Sequence, residues 1–140
     1  MRTYVSMIGN NHNLVLNSLW AVLKEGLYIP EKIILLKNRN AECNKLEKQM
    51  RVILKEYDID VDFVFARLEE GLPVNDDEMV LDITGGDNAS VARLFLNSKT
   101  GSLKHIFMLQ ITDGVDPSTP YPLMNMCQTE LIDILNDGVK

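Results

Sequence analysis

Cysteine is nearly missing from this chain. Cys43 and Cys127 are the only two, they lie far apart, and neither shows the spacing of a metal-binding or redox pair. Histidine is as scarce: His12 and His105 fall in different segments. That inventory builds no zinc site, and no metal is expected. Positive charge is short too, with 14 Lys and Arg against 20 Asp and Glu and a net charge of −6. Gripping a long nucleic acid takes a basic face, which the chain does not supply. An anionic ligand would instead have to be held locally by backbone N–H groups, helix N-termini and a few well-placed cations. No apolar run approaches the roughly 20 residues that span a bilayer. The first residues, Met1 to Ile8, lack the apolar core and cleavage site of a signal peptide. No membrane association is expected, and a cytoplasmic location is. Two nucleotide fingerprints are missing as well. Gly9 is not followed by the second and third glycines of a dinucleotide turn, and no Gly-Lys-Ser/Thr marks a phosphate loop. An ordinary NAD or ATP enzyme is therefore disfavoured, and no cofactor is expected.

What is present is an alternation of strand-like and helix-like segments. Thr3 to Ile8 is rich in β-formers, and Gly9-Asn10-Asn11-His12-Asn13 breaks it. From Leu14 to Glu25 the apolar positions Leu16, Leu19, Trp20 and Leu23 recur at helical spacing, with Asn13 as N-cap and Gly26 as stop. Lys32 to Leu36 is a nearly continuous apolar run, as in a strand covered on both faces. Asn40 to Tyr57 reads as a second amphipathic helix with Leu46, Met50, Ile53 and Leu54 inward. Further strands fall at Val61 to Phe65, Met79 to Thr84 and Leu103 to Ile111, with a helix at Asn88 to Leu96. The stretch Thr112 to Pro122 is a loop, and Leu123 to Leu135 reads as a closing helix. Both cysteines then lie in helices. Strands separated by helices predict an α/β fold: a Rossmann-like three-layer sandwich with a mainly parallel sheet and helices on both faces. At 140 residues, with no repeat or linker, residues 1–140 are expected to form one domain.

In such sheets, ligands sit beyond the carboxyl ends of the strands, where strand order reverses. Two turns stand out there. In Gly9-Asn10-Asn11-His12-Asn13, the glycine permits close approach and three asparagines offer amide donors and acceptors, although asparagine is also an ordinary turn and cap residue. In Thr84-Gly85-Gly86-Asp87-Asn88, two glycines bare backbone N–H groups, Thr84 brings a hydroxyl and Asn88 is suited to cap the next helix.

These pieces resemble the CRISPR-associated Rossmann fold family, the CARF domains. The likeness covers nearly the whole chain. It rests on Val5-Ser6-Met7-Ile8-Gly9-Asn10-Asn11, on Ile33-Ile34-Leu35-Leu36, and above all on Leu81-Asp82-Ile83-Thr84-Gly85-Gly86. The family commonly carries a Thr-Gly-Gly-Thr-Lys-like turn at the last of these. The resemblance implies a sensor in type III CRISPR antiviral defence, binding a cyclic oligoadenylate across the axis of a homodimer. Carried onto this chain, the ligand-binding residues are Gly9, Asn10, Asn11 and Asn13 from the first turn, and Thr84, Gly85, Gly86 and Asn88 from the second. The departure is Asp87-Asn88 where Thr and a basic residue are commoner. Lys37, Arg39 and Arg67, just past strand ends on that edge, are candidates for the missing charge. Relatives commonly carry a further nuclease or DNA-binding domain, so the chain is expected to be either a standalone sensor or the sensor half of a longer protein. The alternative is an enzyme, a metal-independent ring nuclease that linearises the ligand. Its catalytic candidate is His12, with Asn10, Asn11 or Ser90 as orienters and Ser6 read as a packed strand residue. A response-regulator-like module is disfavoured, because its acidic cluster is missing from the ends of strands 1 and 3.

Overall fold

Side chains alternate across a strand, so a strand with apolar residues at every position can hold a helix against each face. The computed structural model describes residues 2–37, 43–72, 78–96, 98, 103–112, 114–124 and 129–137, and its central strands use that alternation. The elements run β1 (Thr3–Met7), α1 (His12–Lys24), β2 (Lys32–Lys37), α2 (Asn44–Glu56), β3 (Asp62–Arg67), β4 (Met79–Asp82), α3 (Asn88–Leu96), β5 (Leu103–Ile111), β6 (Thr129–Asp133) and α4 (Ile134–Asp137). They form one six-stranded sheet in the order β3-β2-β1-β4-β5-β6. All pairings are parallel except β5 with β6.

Tyr4, Ile33, Leu35, Val80 and Phe107 face one way and pack with Val15, Leu19 and Val22 of α1 and Leu46, Met50 and Leu54 of α2. Val5, Met7, Ile34, Leu36, Leu81 and Ile106 face the other way and pack with Leu94 of α3 and Leu72. The expected Rossmann-like three-layer arrangement is what the chain adopts. Both ends of α1 are capped, though not both as expected. At the start, Asn11 rather than Asn13 is the N-cap: its side chain accepts the N–H of Asn13 at 3.1 Å. Asn13 already lies inside the helix, so it donates instead of accepting. At the end, Gly26 takes φ +66°, and the N–H groups of Gly26 and Leu27 return to the carbonyls of Leu23 and Val22. That double closure satisfies the last helical carbonyls.

The closing helix expected over Leu123 to Leu135 is not there. A short 3₁₀ turn at Tyr121–Leu123 is followed by β6, which pairs antiparallel to β5 with Leu109 opposite Leu131, and then by one turn of α4. Without β6, β5 would leave a row of unpaired backbone groups, and covering that edge outweighs the helical spacing of a short apolar run. Asp133 fastens the arrangement. Its carboxylate meets His105 Nδ1 at 2.5 Å and accepts the Ile106 N–H at 3.1 Å, while Asn136 donates to it at 2.5 Å. Burial pushes the Asp133 carboxyl up, but these hydrogen bonds outweigh burial and hold it below its ordinary value. Cys43 sits at the N-cap of α2 and is buried; the expectation for Cys127 lies outside the described residues. Among the described residues, no helix is long and apolar enough to cross a membrane.

Candidate functional site

The order of the sheet fixes where a crevice opens. β1 leads through α1 to β2 on one side, whereas β4, its neighbour on the other side, leads through α3 to β5. The two strand-to-helix turns therefore leave the sheet side by side, at the switch point where ligands gather in this architecture. Gly9 meets Gly85 main chain to main chain. A Cβ added to Gly9 would sit 2.0 Å from the Gly85 carbonyl oxygen, and one added to Gly85 would sit 2.3 Å from the Met7 oxygen and 2.6 Å from Val15. Those two glycines are required by the contact between the turns.

The first turn forms one wall of an open concavity of about 470 Å³. Asn10, Asn11, His12 and Asn13 line it together with Lys45 and Gln49 of α2. Lys45 is the cation that inspection of the sequence missed. It lies on a different element, some thirty residues from the first turn, and no local motif marks it. Of the basic residues that were considered, Lys37 and Arg67 are register partners at the ends of β2 and β3. Lys37 lies 5.1 Å over the Phe65 ring, and Arg67 faces Glu69 at 3.8 Å, so both already have partners. Arg39 lies outside the described residues. His12 opens α1 as its first residue, half-buried. Ser6 is buried within β1.

The second turn contributes none of the lining of that concavity. Much of its hydrogen-bonding capacity is spent inward. The Gly86 N–H closes a turn on the Ile83 carbonyl at 3.0 Å, and the Thr84 N–H goes to Asp82 at 3.0 Å. The picture of two bared glycine amides is thus corrected for Gly86. Asn88 is not the cap of α3; it is the first helical residue, and the carboxylate of Asp87 accepts the Ser90 N–H at 2.7 Å. Hydrogen bonds from Ser90 hold the Asp87 carboxyl below its usual value. The acidic residue that looked unfavourable beside an anion is the helix cap.

Beneath both turns lies a polar network in an apolar core. Asp82, 1% exposed, ends β4. One carboxylate oxygen accepts the hydroxyls of Tyr4 and of Ser18, the latter at 2.5 Å. The other accepts the Thr84 N–H and, at 2.6 Å, the Thr84 hydroxyl. That hydroxyl also accepts the Leu109 N–H at 2.9 Å. Thr84 is thus turned into the protein, tying β4 to β5 and, through Ser18, to α1. Burial pushes the Asp82 carboxyl up, against the pull of these hydrogen bonds, and burial with the neighbouring carboxylate pushes the Tyr4 phenol up.

A second inward tie sets the long loop after β5. Asn17, 3% exposed, donates to the carbonyls of Pro117 and Thr119 at 2.9 and 3.0 Å and accepts the Tyr121 N–H at 2.9 Å. The loop therefore lies along α1 of its own chain.

No protein-family model matches the chain, and no curated protein matches it. Among solved structures it is similar in fold to a type III CRISPR defence DNA nuclease activated by cyclic oligoadenylate, with a TM-score of 0.59 at 17% identity. The alignment takes in all of this chain and 22% of that one, so the chain spans about a fifth of the length of that protein.

Proposed function

We propose that the chain is a sensor domain of type III CRISPR antiviral defence, binding a cyclic oligoadenylate at the switch-point concavity, with two copies of the domain sharing one ring across a two-fold axis. One observation carries the reading: the two turns abut at the carboxyl ends of β1 and β4, and beside them four consecutive polar residues face a lysine and a glutamine across one concavity. The start of α1 adds its dipole there, an arrangement that favours phosphate. Similarity in fold to a nuclease activated by that ligand agrees with it. In this reading Asn10, Asn11, Asn13 and Lys45 meet the ligand. Gly9, Gly85, Gly86, Thr84 and Asn88 set the shape and position of the turns.

The alternative reading is a metal-independent ring nuclease. The position of His12 in the same wall as Lys45 favours it, because an imidazole suits proton transfer near neutrality and a cation suits the charge that builds on phosphate. Incubation with cyclic tetra- and hexa-adenylate, followed by chromatography with mass detection, separates the two. Intact bound ring is the result for the sensor, and linear product for the enzyme; absence of both overturns the pair. Lys45→Ala is expected to weaken binding about ten-fold, the loss of one charge-assisted contact. Light scattering is expected to show a dimer at micromolar concentration, and a monomer with and without ligand would remove the shared site.

A further inference from the structure

A second cavity of about 300 Å³ adjoins the first. Leu16, Trp20, Val52 and Ile53 give it an apolar surface, in the groove between α1 and α2, and Ser118 and Pro120 close it from the loop that Asn17 holds. It shares two walls with the concavity at the turns: Asn13 and Gln49 line both. The amide of Asn17 is spent on the loop, which leaves Asn13 and Gln49 as the carboxamides placed between a lysine at one end and an indole at the other.

We infer that this groove seats an adenine base of a nucleotide whose phosphate lies at the Lys45 end, with Trp20 as the stacking surface and Gln49 or Asn13 reading the base edge. The inference rests on the ligand reading above and extends it to base recognition. Three features select this occupant. The groove borders the concavity suited to phosphate along Asn13 and Gln49, which places a base and its phosphate within one ligand's span. Aromatic side chains offer stacking to any base. A carboxamide pairs with the adjacent donor and acceptor on the N6/N7 edge of adenine, an edge that a pyrimidine lacks, which supplies the selectivity that stacking lacks.

Trp20 is the sole tryptophan, so its emission reports this groove alone. The experiment titrates cyclic tetra-adenylate, adenosine monophosphate and cytidine monophosphate against the full chain. Indole is excited on its red edge, where the bases do not absorb, and binding is measured independently by equilibrium dialysis. Both adenine probes are expected to change Trp20 emission saturably. The exposed Gln49→Ala is expected to weaken the monophosphate several-fold, and cytidine monophosphate to respond far less. Ring binding by dialysis with unchanged emission would overturn the groove and leave the sensor reading standing. A response to adenosine monophosphate without ring binding would support the groove and remove the sensor reading. Silence of Trp20 toward all three probes, or an equal response to cytidine and adenosine monophosphates, overturns the assignment.

Discussion

Replacing Asp82 by Asn keeps the size and shape of the side chain and changes only which atoms give and which accept. The Thr84 N–H cannot reverse, so the amide oxygen must take the position that accepts it. The new NH₂ group then faces Tyr4 and Ser18. Both hydroxyls can rotate to accept. Ser18 can redirect its proton to the Thr84 oxygen 2.9 Å away, and the Tyr4 proton can then turn to the Ser18 oxygen, a neutral acceptor in place of the carboxylate. Exchanging the charge-assisted bonds of Tyr4 and Ser18 for bonds between neutral groups costs ~1–3 kcal/mol. Relief from burying a charge offsets part of the lost charge-assisted bonding, so the expected net loss is about 2 kcal/mol. Asp82→Ala, which takes the shared acceptor from all four donors, should lose about 4 kcal/mol. Urea unfolding followed by far-ultraviolet circular dichroism measures both. The diagnostic variant is the double change Tyr4→Phe with Asp82→Asn. It removes a hydroxyl whose charge-assisted bond Asp82→Asn has already taken away, so the two changes together should cost less than the sum of the two alone by about 1 kcal/mol. Strict additivity of the two single changes would refute the argument. The pH dependence has a fixed sign. The folded-state pKa of Asp82 is raised, so its linked stability is fully present below the ordinary carboxylate value and is lost as pH rises through the raised one. The gap between wild type and Asp82→Asn should therefore widen as pH falls from 7 toward 4.

Three further outcomes follow from the ties described above. Gly85→Ala places a methyl against the Met7 carbonyl and Val15, so the turns must part; a loss of roughly 2–4 kcal/mol and loss of ring binding are expected, and a wild-type melting temperature would contradict the contact. Asn17→Ala frees three backbone groups of the loop after β5; limited proteolysis should cut within 114–120 much faster than in wild type, and unchanged cleavage would show the loop held by other means. Asp133→Ala releases β6 and α4 from β5, which hydrogen exchange would read as faster exchange at Met108 and Gln110, whose backbone groups face β6. Because the Asp133 carboxyl is depressed, its contribution is present at neutral pH and is lost on acidification, so the difference between wild type and variant should shrink toward pH 3.

The parallel core was legible because its signals are local. Runs such as Ile33 to Leu36, breaks at glycine and helical spacing each report on their own few residues, and together they gave the α/β alternation and both turns. What escaped depended on distant partners. Thr129 to Asp133 carries Leu131 and Ile132 in a pattern that fits helix or strand, and only the exposed edge of β5 decides between them. An aspartate inside Met79-Val80-Leu81-Asp82 was a visible anomaly, yet its donors Tyr4 and Ser18 are 78 and 64 positions away. Asn17 lies amid the apolar positions of α1, where an amide has no local reason to be. Lys45 carries no local signal, since nothing in its neighbours reveals that α2 begins opposite the first turn.

The meeting of Gly9 with Gly85 has a mechanical result. Where side chains separate two segments, a shift in one can be absorbed by a change of rotamer. Here main chain rests on main chain, and nothing between them can yield. A ligand that pushes on the start of α1 must move the start of α3 as well, so the two faces of the sheet answer to a single displacement.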